Sequence, residues 1–187
     1  MNNTTKFTAI FSALILTALY FVPIWKIELM APQYPEGLFL QIYLTKFAGS
    51  VESINGLNHY IGMATIQNEM FPEFKILPYI LGFIIGAGAI LGFINKKWSI
   101  FTFWIILLVF CIGAMVDMYK WGYDYGHNLD PRAAIKVPGM AYQPPLIGYK
   151  QLLNFEAISL PDIGGMTLAV SVLIITFIVI YKILLKK

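Results

Sequence analysis

Four long apolar runs and two more polar segments alternate along the chain. The apolar runs occupy approximately residues 7–25, 77–95, 98–117 and 166–185. A helix needs about 20 residues, at a rise of about 1.5 Å each, to cross a bilayer, and each run meets that length. The pattern therefore predicts an all-α membrane protein: a single membrane domain over residues 1–187 with four transmembrane helices. Residues 26–76 and 118–165 form two structured extracytoplasmic loops of about fifty residues each.

The first loop contains two kinds of pattern. Branched and aromatic residues in "LFLQIYL" and "SVESI" flank the connection "TKFAG", which predicts a short β-hairpin at the membrane surface. The segment "NGLNHYIGMATIQNEM" follows, with apolar residues at helical spacing, and predicts a short amphipathic helix lying in the interface.

The second loop is rich in proline, glycine and aromatic residues. The prolines and glycines argue against long regular elements. Tyrosine and tryptophan are frequent and charge is low, which argues against disorder. The segment is therefore predicted to be a folded cap whose aromatic side chains lie at headgroup depth.

Composition and charge support a membrane location and set an orientation. Hydrophobic residues make up 58% of the chain and charged residues 12%. Basic residues unaccompanied by acids are confined to one side of the predicted helices; they are Lys6, Lys96, Lys97, Lys182, Lys186 and Lys187. Because such residues stay in the cytoplasm, we expect an inner (cytoplasmic) membrane protein with both termini cytoplasmic and both loops facing the periplasm. The net charge of +3 is thus a topology signal, and nothing indicates a nucleic-acid partner.

One short stretch of the first loop suggests a metal ligand set. Asn55, His59 and Met63 are spaced i, i+4, i+8, so they form one column on a helix. Neutral imidazole and thioether groups suit copper, and the soft sulfur favours Cu(I). The alternative is that the methionine only packs and the histidine only forms hydrogen bonds.

The second loop offers further ligands on the same face of the membrane. His127 and Met140 join His59 and Met63 as the predicted copper ligands, with Asn55 and Asp124 as neighbours that orient an imidazole. The alternative is that "GHNLDP" is a turn whose polar side chains bond the local backbone.

The sequence lacks the residues that other metal or catalytic chemistries require. The four runs contain no histidine, so a haem held inside the bundle is excluded, and no Ser-His-Asp order, phosphate-binding glycine loop or cysteine cluster is present. Asp117, at the end of the third run, is interpreted as reaching the interface. The sequence therefore predicts a protein that is not an enzyme.

At "APQYPEGL", "INGLNHYIGM" and "GHNLDP" the sequence resembles small integral membrane proteins associated with nitrous oxide reductase gene clusters of the second type. The resemblance implies an accessory role in copper handling, maturation or electron supply for a periplasmic metalloenzyme, together with a metallochaperone or the enzyme as partner. It implies no particular ligand residues.

Two further hypotheses remain open beside copper handling. The cap could be a metal-free surface that docks a periplasmic enzyme or redox carrier through exposed aromatic residues, namely Trp121, Tyr123, Tyr125 and Tyr142. The third is electron transfer with a quinol bound near the outer interface.

Overall fold

The computed structural model describes residues 2–137 and 139–181 and contains helices and strands. The helices are α1 (Asn3–Leu14), α2 (Val51–Ile61), α3 (Glu73–Ile94), α4 (Lys97–His127) and α5 (Ile163–Ile178). The strands are β1 (Trp25–Ala31), β2 (Tyr34–Ile42), β3 (Phe47–Gly49), β4 (Gly148–Leu152) and β5 (Phe155–Pro161). Short 3₁₀ helices span Ile15–Tyr20 and Asn68–Met70.

Within the described residues, three helices are long and apolar enough to cross a membrane. They are α3, α4, and α5 with its continuation to Tyr181. The predicted fourth span, residues 7–25, was wrong because its α-helical part, α1, is only 12 residues long. A 3₁₀ helix continues α1 to Tyr20, and β1 begins at Trp25 after the break at Pro23. The last residues predicted for the final span, 182–185, lie outside the described part.

The prediction of an all-α fold was also wrong, because both predicted loops contribute to one sheet. Its five strands are antiparallel in the order β3-β2-β1-β5-β4. In β1, Ile27 is buried while the neighbouring Lys26 and Glu28 form an ion pair of 2.6 Å at the surface, an alternation typical of a strand with one buried face. Ile27 lies opposite Ser159 of β5, so the strands join segments that are far apart in sequence.

The hairpin and the interfacial helix of the first loop are shifted from their predicted positions. The predicted strand "LFLQIYL" lies mostly in β2, which pairs with β3, but "SVESI" opens helix α2. Helix α2 ends at Ile61 because Gly62 adopts a left-handed conformation with φ of 79°, which is the usual glycine stop signal. The predicted helical column of Asn55, His59 and Met63 therefore loses its last member.

Helix α4 continues ten residues beyond its predicted end at Asp117 and reaches His127. The glycines of this segment did not prevent the extension, since Gly122 and Gly126 fit on the buried side of the helix. We call the sheet, α2, the end of α4 from residue 118 and the described residues of 128–147 the cap. The bundle consists of α1 with the 3₁₀ helix that continues it, α3, α4 up to residue 117, and α5.

The interior of the bundle is built from small and apolar residues. Ala9 and Ala13 of α1 are fully buried among side chains of α3, α4 and α5. The hydroxyls of Ser12 and Ser171 lie 2.9 Å apart, and each also donates to the other residue's carbonyl oxygen. Such mutual bonding satisfies buried polar groups where no water is at hand.

The cap is joined to the bundle at the start of α5. The Asp162 carboxylate accepts a hydrogen bond from the backbone N–H of Ile163, and the N–H of Gly164 donates to the carbonyl of Pro23 at 2.8 Å. A side chain at Gly164 would lie 3.0 Å from that carbonyl oxygen. The glycine therefore lets the sheet and the bundle approach each other closely.

Candidate ligand-binding cavity in the cap

A cavity of about 300 Å³ lies between the sheet and helix α2. Ile27 and Leu40 form its wall on the sheet, and Ile54 and Leu57 form its wall on α2. These residues face each other because β1 and β2 alternate inward and outward with a period of two, while α2 presents one apolar stripe. The apolar faces of two neighbouring elements thus enclose open space.

Aromatic residues close the other sides of the cavity. Trp121 and Tyr125 reach it from the end of α4, with ring centroids 5.1 Å apart and nearly parallel planes. Tyr142 and Phe155 line it from the segment after α4 and from β5. The extension of α4 into the cap is what brings two of these rings to the site.

Among the described residues, no acidic, basic or histidine side chain lines the cavity. Its buried polar groups are few, and two of them form a pair: Asn58, which is 5% exposed, donates a hydrogen bond from Nδ2 to the hydroxyl of Tyr125. In the described part of the chain, the Tyr125 hydroxyl proton has no acceptor. The pair therefore offers the cavity a phenol that can still donate.

Tyr142 is the most unusual residue of the cavity wall. Its side chain is 3% exposed, and its hydroxyl has no hydrogen-bond partner among the described residues. Its backbone is fixed, because the N–H of Tyr142 donates to the carbonyl of Gly126 at 2.9 Å. A side chain at Gly126 would overlap the backbone of Gln143, so this glycine permits the contact.

Two turns meet at one edge of the cavity. Asn154, in the turn between β4 and β5, donates a hydrogen bond from Nδ2 to the side-chain oxygen of Gln33 in the turn between β1 and β2, at 3.1 Å. Both residues and the neighbouring Leu153 line the cavity. Leu153 has φ of 56°, a backbone conformation that is strained for a leucine.

The four predicted copper ligands do not all lie at one site. His59 and Met63 line an open groove beside the cavity, together with Asn128 and Asp130, whereas His127 and Met140 do not line this groove. The groove exists because the two predicted loops contact each other: the N–H of Asp130 donates to the carbonyl of Gly62 at 2.8 Å.

His127 is exposed and held by its own helix. Its Nδ1 lies 2.8 Å from the carbonyl oxygen of Tyr123, and its ring stacks on that of Tyr123 with centroids 3.9 Å apart. A hydrogen bond from Nδ1 to the carbonyl leaves Nε2 as the nitrogen with a lone pair.

Asn55 and Asp124, predicted to orient an imidazole, have other surroundings. Asn55 clamps the chain after α2, because its amide donates to the carbonyl of Ile66 at 3.0 Å and its oxygen accepts from the N–H of Ile66 at 2.7 Å. Asp124 lines a different groove, near Asp117 and Lys120. In the described residues, no three His, Cys, Asp or Glu side chains are grouped as a metal site would require. The copper site stays a prediction.

Charge near the His59 groove is dominated by one ion pair. Arg132 donates hydrogen bonds to the carboxylate of Asp130, the shorter being 2.8 Å from its backbone N–H. The Arg132 side-chain hydrogen bond lowers the pKa of Asp130 below its usual value. Asp130 is therefore ionised and already paired at neutral pH.

Three of the four aromatic residues predicted to be exposed for docking belong instead to the cavity. Trp121 and Tyr125 are half-buried, Tyr142 is buried, and only Tyr123 is exposed. Asn58 had not been singled out from the sequence. The signal that could have found it is its position among Ile54 and Ile61, four residues before and three after it on the apolar stripe of α2.

Comparison of the chain with protein-family models, with curated proteins and with solved structures gives no match. The resemblance to proteins of nitrous oxide reductase gene clusters therefore stays a prediction.

Proposed function

We propose that this is a membrane protein whose cap binds an uncharged, largely apolar small molecule in the cavity between the sheet and α2. The main support is a cavity of about 300 Å³ whose lining, as far as the described residues go, contains no charged side chain. Burying a charged ligand against such walls is costly, since nothing pairs with its charge. An apolar ligand gains free energy by leaving water for the same walls.

The volume of the cavity is that of a ligand-binding site rather than of a gap left by irregular packing. Small-molecule sites typically measure about 300–1,000 Å³, mostly apolar with a few placed polar groups. A cavity of about 150 Å³ is enough to hold benzene. The cavity is about 300 Å³, so it has room for a molecule of about two to three aromatic rings.

The basic residues of the bundle indicate on which side of the membrane the cap lies. Lys96 lies in the link between α3 and α4, and Lys97 begins α4. Lys6 of α1 lies at the same end of the bundle, with its ammonium 3.6 Å from the centre of the Phe93 ring. This basic end of the bundle is opposite the cap. By the rule that basic segments stay inside, the basic end faces the cytoplasm, and the cap faces the outside of an inner membrane.

Binding can be tested with N-phenyl-1-naphthylamine, which is uncharged and apolar. Protein in mild detergent is titrated with this compound and bound stoichiometry is read by native mass spectrometry, which separates specific adducts from micelle partitioning. Leu57→Trp fills the cavity, whereas Glu52→Trp places the same side chain on the exposed side of α2. We expect one bound molecule in wild type and in Glu52→Trp and loss of the adduct in Leu57→Trp. Equal adducts in all three proteins would contradict the proposal.

Copper handling is a second candidate, favoured by one observation. His59 and Met63, a nitrogen and a sulfur ligand suited to Cu(I), line the same open groove. Such a site would load or unload a periplasmic metalloenzyme or metallochaperone, as an accessory to its maturation or electron supply. The tether of His127 through Nδ1 would leave Nε2 as a further ligand if the segment after α4 moved.

Anaerobic titration with Cu(I) against a competing chelator tests this second candidate. Wild type is compared with the His59→Ala, His127→Ala double variant and with Met63→Leu, which keeps the volume of the side chain. Stoichiometric binding in wild type and its loss in both variants is expected. Binding that is the same in all three proteins would rule out a site at these residues.

A further inference from the structure

The unpartnered hydroxyl of Tyr142 constrains what the ligand is. More than about 90% of buried polar groups in proteins have a hydrogen-bond partner, and leaving one without a partner destabilises the fold. Tyr142 is 3% exposed, lines the cavity and has no partner in the described part of the chain. A phenylalanine would fill the same space without this cost. The hydroxyl is therefore explained if a ligand supplies its partner.

Tyr125 contributes a second hydroxyl that can donate a hydrogen bond. Because its oxygen accepts from Asn58, the remaining capacity of this hydroxyl is to donate its proton. The hydroxyl of Tyr142 also has its proton available. Both residues line the same cavity, so its wall contains two tyrosines whose hydroxyls can donate.

We infer that the ligand is an uncharged ring compound carrying a carbonyl oxygen, which accepts a hydrogen bond from the Tyr142 hydroxyl. This inference rests on the proposed function and specifies its ligand. An acceptor oxygen matches the two donors, whereas a carboxylate or phosphate would meet no cationic side chain among the described residues that line the cavity.

A ring is favoured by the shape of the walls. Trp121 and Tyr125 are stacked with an angle of 21° between their planes, and Phe155 and Tyr60 also line the cavity. Aromatic side chains pack well on the face or the edge of another ring. The volume accommodates two fused rings, as argued above.

A matched pair of compounds separates this inference from the proposed function. The compounds are 2,3-dimethyl-1,4-naphthoquinone and 2,3-dimethylnaphthalene, which share the ring system and differ in the carbonyl oxygens. The methyl groups block the ring positions that would otherwise react with the thiol of Cys111. Dissociation constants are measured for both by native mass spectrometry in detergent.

The variants are Tyr142→Phe and, as control, Tyr123→Phe, which removes an exposed hydroxyl away from the cavity. Wild type and Tyr123→Phe should bind the quinone about tenfold more tightly than the hydrocarbon, as expected for about 1.4 kcal/mol from one hydrogen bond. Tyr142→Phe should lose this preference, keep its affinity for the hydrocarbon, and unfold at the same or a higher temperature.

Each contrary result has its own meaning. Equal affinity of wild type for both compounds would overturn the carbonyl inference and leave apolar binding standing. Binding of neither compound would overturn the proposed function as well. A Tyr142→Phe protein that loses both compounds and unfolds at a lower temperature would show that the hydroxyl is structural, which also overturns the inference.

Discussion

The bundle and the cap differ in their surroundings and in how closely they are packed. In the bundle, large apolar residues such as Phe83 and Leu173 are about two-thirds exposed at 69% and 67%, while the interior combines glycine, alanine and serine with fully buried large residues such as Phe103 and Leu107. In the cap, large apolar and aromatic residues point inward and surround open space. A helix surface that faces lipid gains nothing from hiding apolar groups, whereas a sheet that faces water does.

The two regions also differ in how much open space their interiors contain. The place of a side chain at Gly88 of α3 overlaps the ring of Phe103 and lies 2.8 Å from Cβ of Ala13, so the bundle is filled to contact. The cap keeps a cavity in the same chain. The open space of the cap is thus lined by Tyr142, whose hydroxyl has no hydrogen-bond partner among the described residues.

The largest effect should come from breaking the close packing of the bundle. Gly88→Val would force Phe103 and Ala13 apart, and overpacking of this kind costs about 3 kcal/mol. Gly86→Val, on the same helix, meets nothing within 4 Å and is the control. Thermal unfolding in detergent should show a large loss for the first variant and little change for the second. Equal losses would mean that valine disturbs the helix itself rather than its packing.

A somewhat smaller effect is expected where α4 supports the cap. Gly126→Ala would collide with the backbone of Gln143 and displace the neighbouring Tyr142, at a cost of about 1–3 kcal/mol. The same change at Gly122, where no atom lies within 4 Å, is the control. Only Gly126→Ala should lower both the unfolding temperature and the binding of N-phenyl-1-naphthylamine. If Gly126→Ala binds this compound like wild type, the position of Tyr142 does not shape the cavity.

Next in size is the polar contact inside the bundle. Replacing Ser12 and Ser171 by alanine, singly and together, removes their mutual hydrogen bonds. A double-mutant cycle in detergent should give a coupling of about 0.6–1.7 kcal/mol, the range for such pairs between membrane helices. A coupling of zero would show that each serine is satisfied independently of the other.

The smallest change in stability concerns the strained turn of the cap. Leu153→Asn puts a residue that tolerates a left-handed conformation at φ of 56°, so the protein should gain up to about 1 kcal/mol of stability. It also removes an apolar wall of the cavity, so N-phenyl-1-naphthylamine should bind more weakly. A stability gain without weaker binding would show that Leu153 has no part in the site.

The membrane character could be predicted from the sequence, but the sheet and the cavity of the cap could not. Long apolar runs identify α3, α4 and α5 because length and composition decide such helices. The first run was misjudged because its apolar residues continue past Tyr20 into β1, and hydropathy alone does not separate a helix from a strand there.

The site was missed because it depends on contacts between distant segments. The pairing of Ile27 with Ser159 joins the two predicted loops, and no periodic pattern within either loop predicts this pairing. Gly62 was a readable stop signal for α2, and using it would have removed Met63 from the helical column. Tyr142 was noticed as an aromatic residue, but only the fold shows that its hydroxyl is buried.

The central claim is that the cap holds an uncharged apolar molecule, and the most direct measurement is of what the protein itself carries. Wild type and Leu57→Trp are extracted from the same membranes in mild detergent, and the small molecules bound to each are identified by mass spectrometry after solvent extraction. We predict a neutral carbonyl-bearing ring compound that is stoichiometric in wild type and depleted in Leu57→Trp. Identical extracts containing only phospholipid and detergent would contradict the claim.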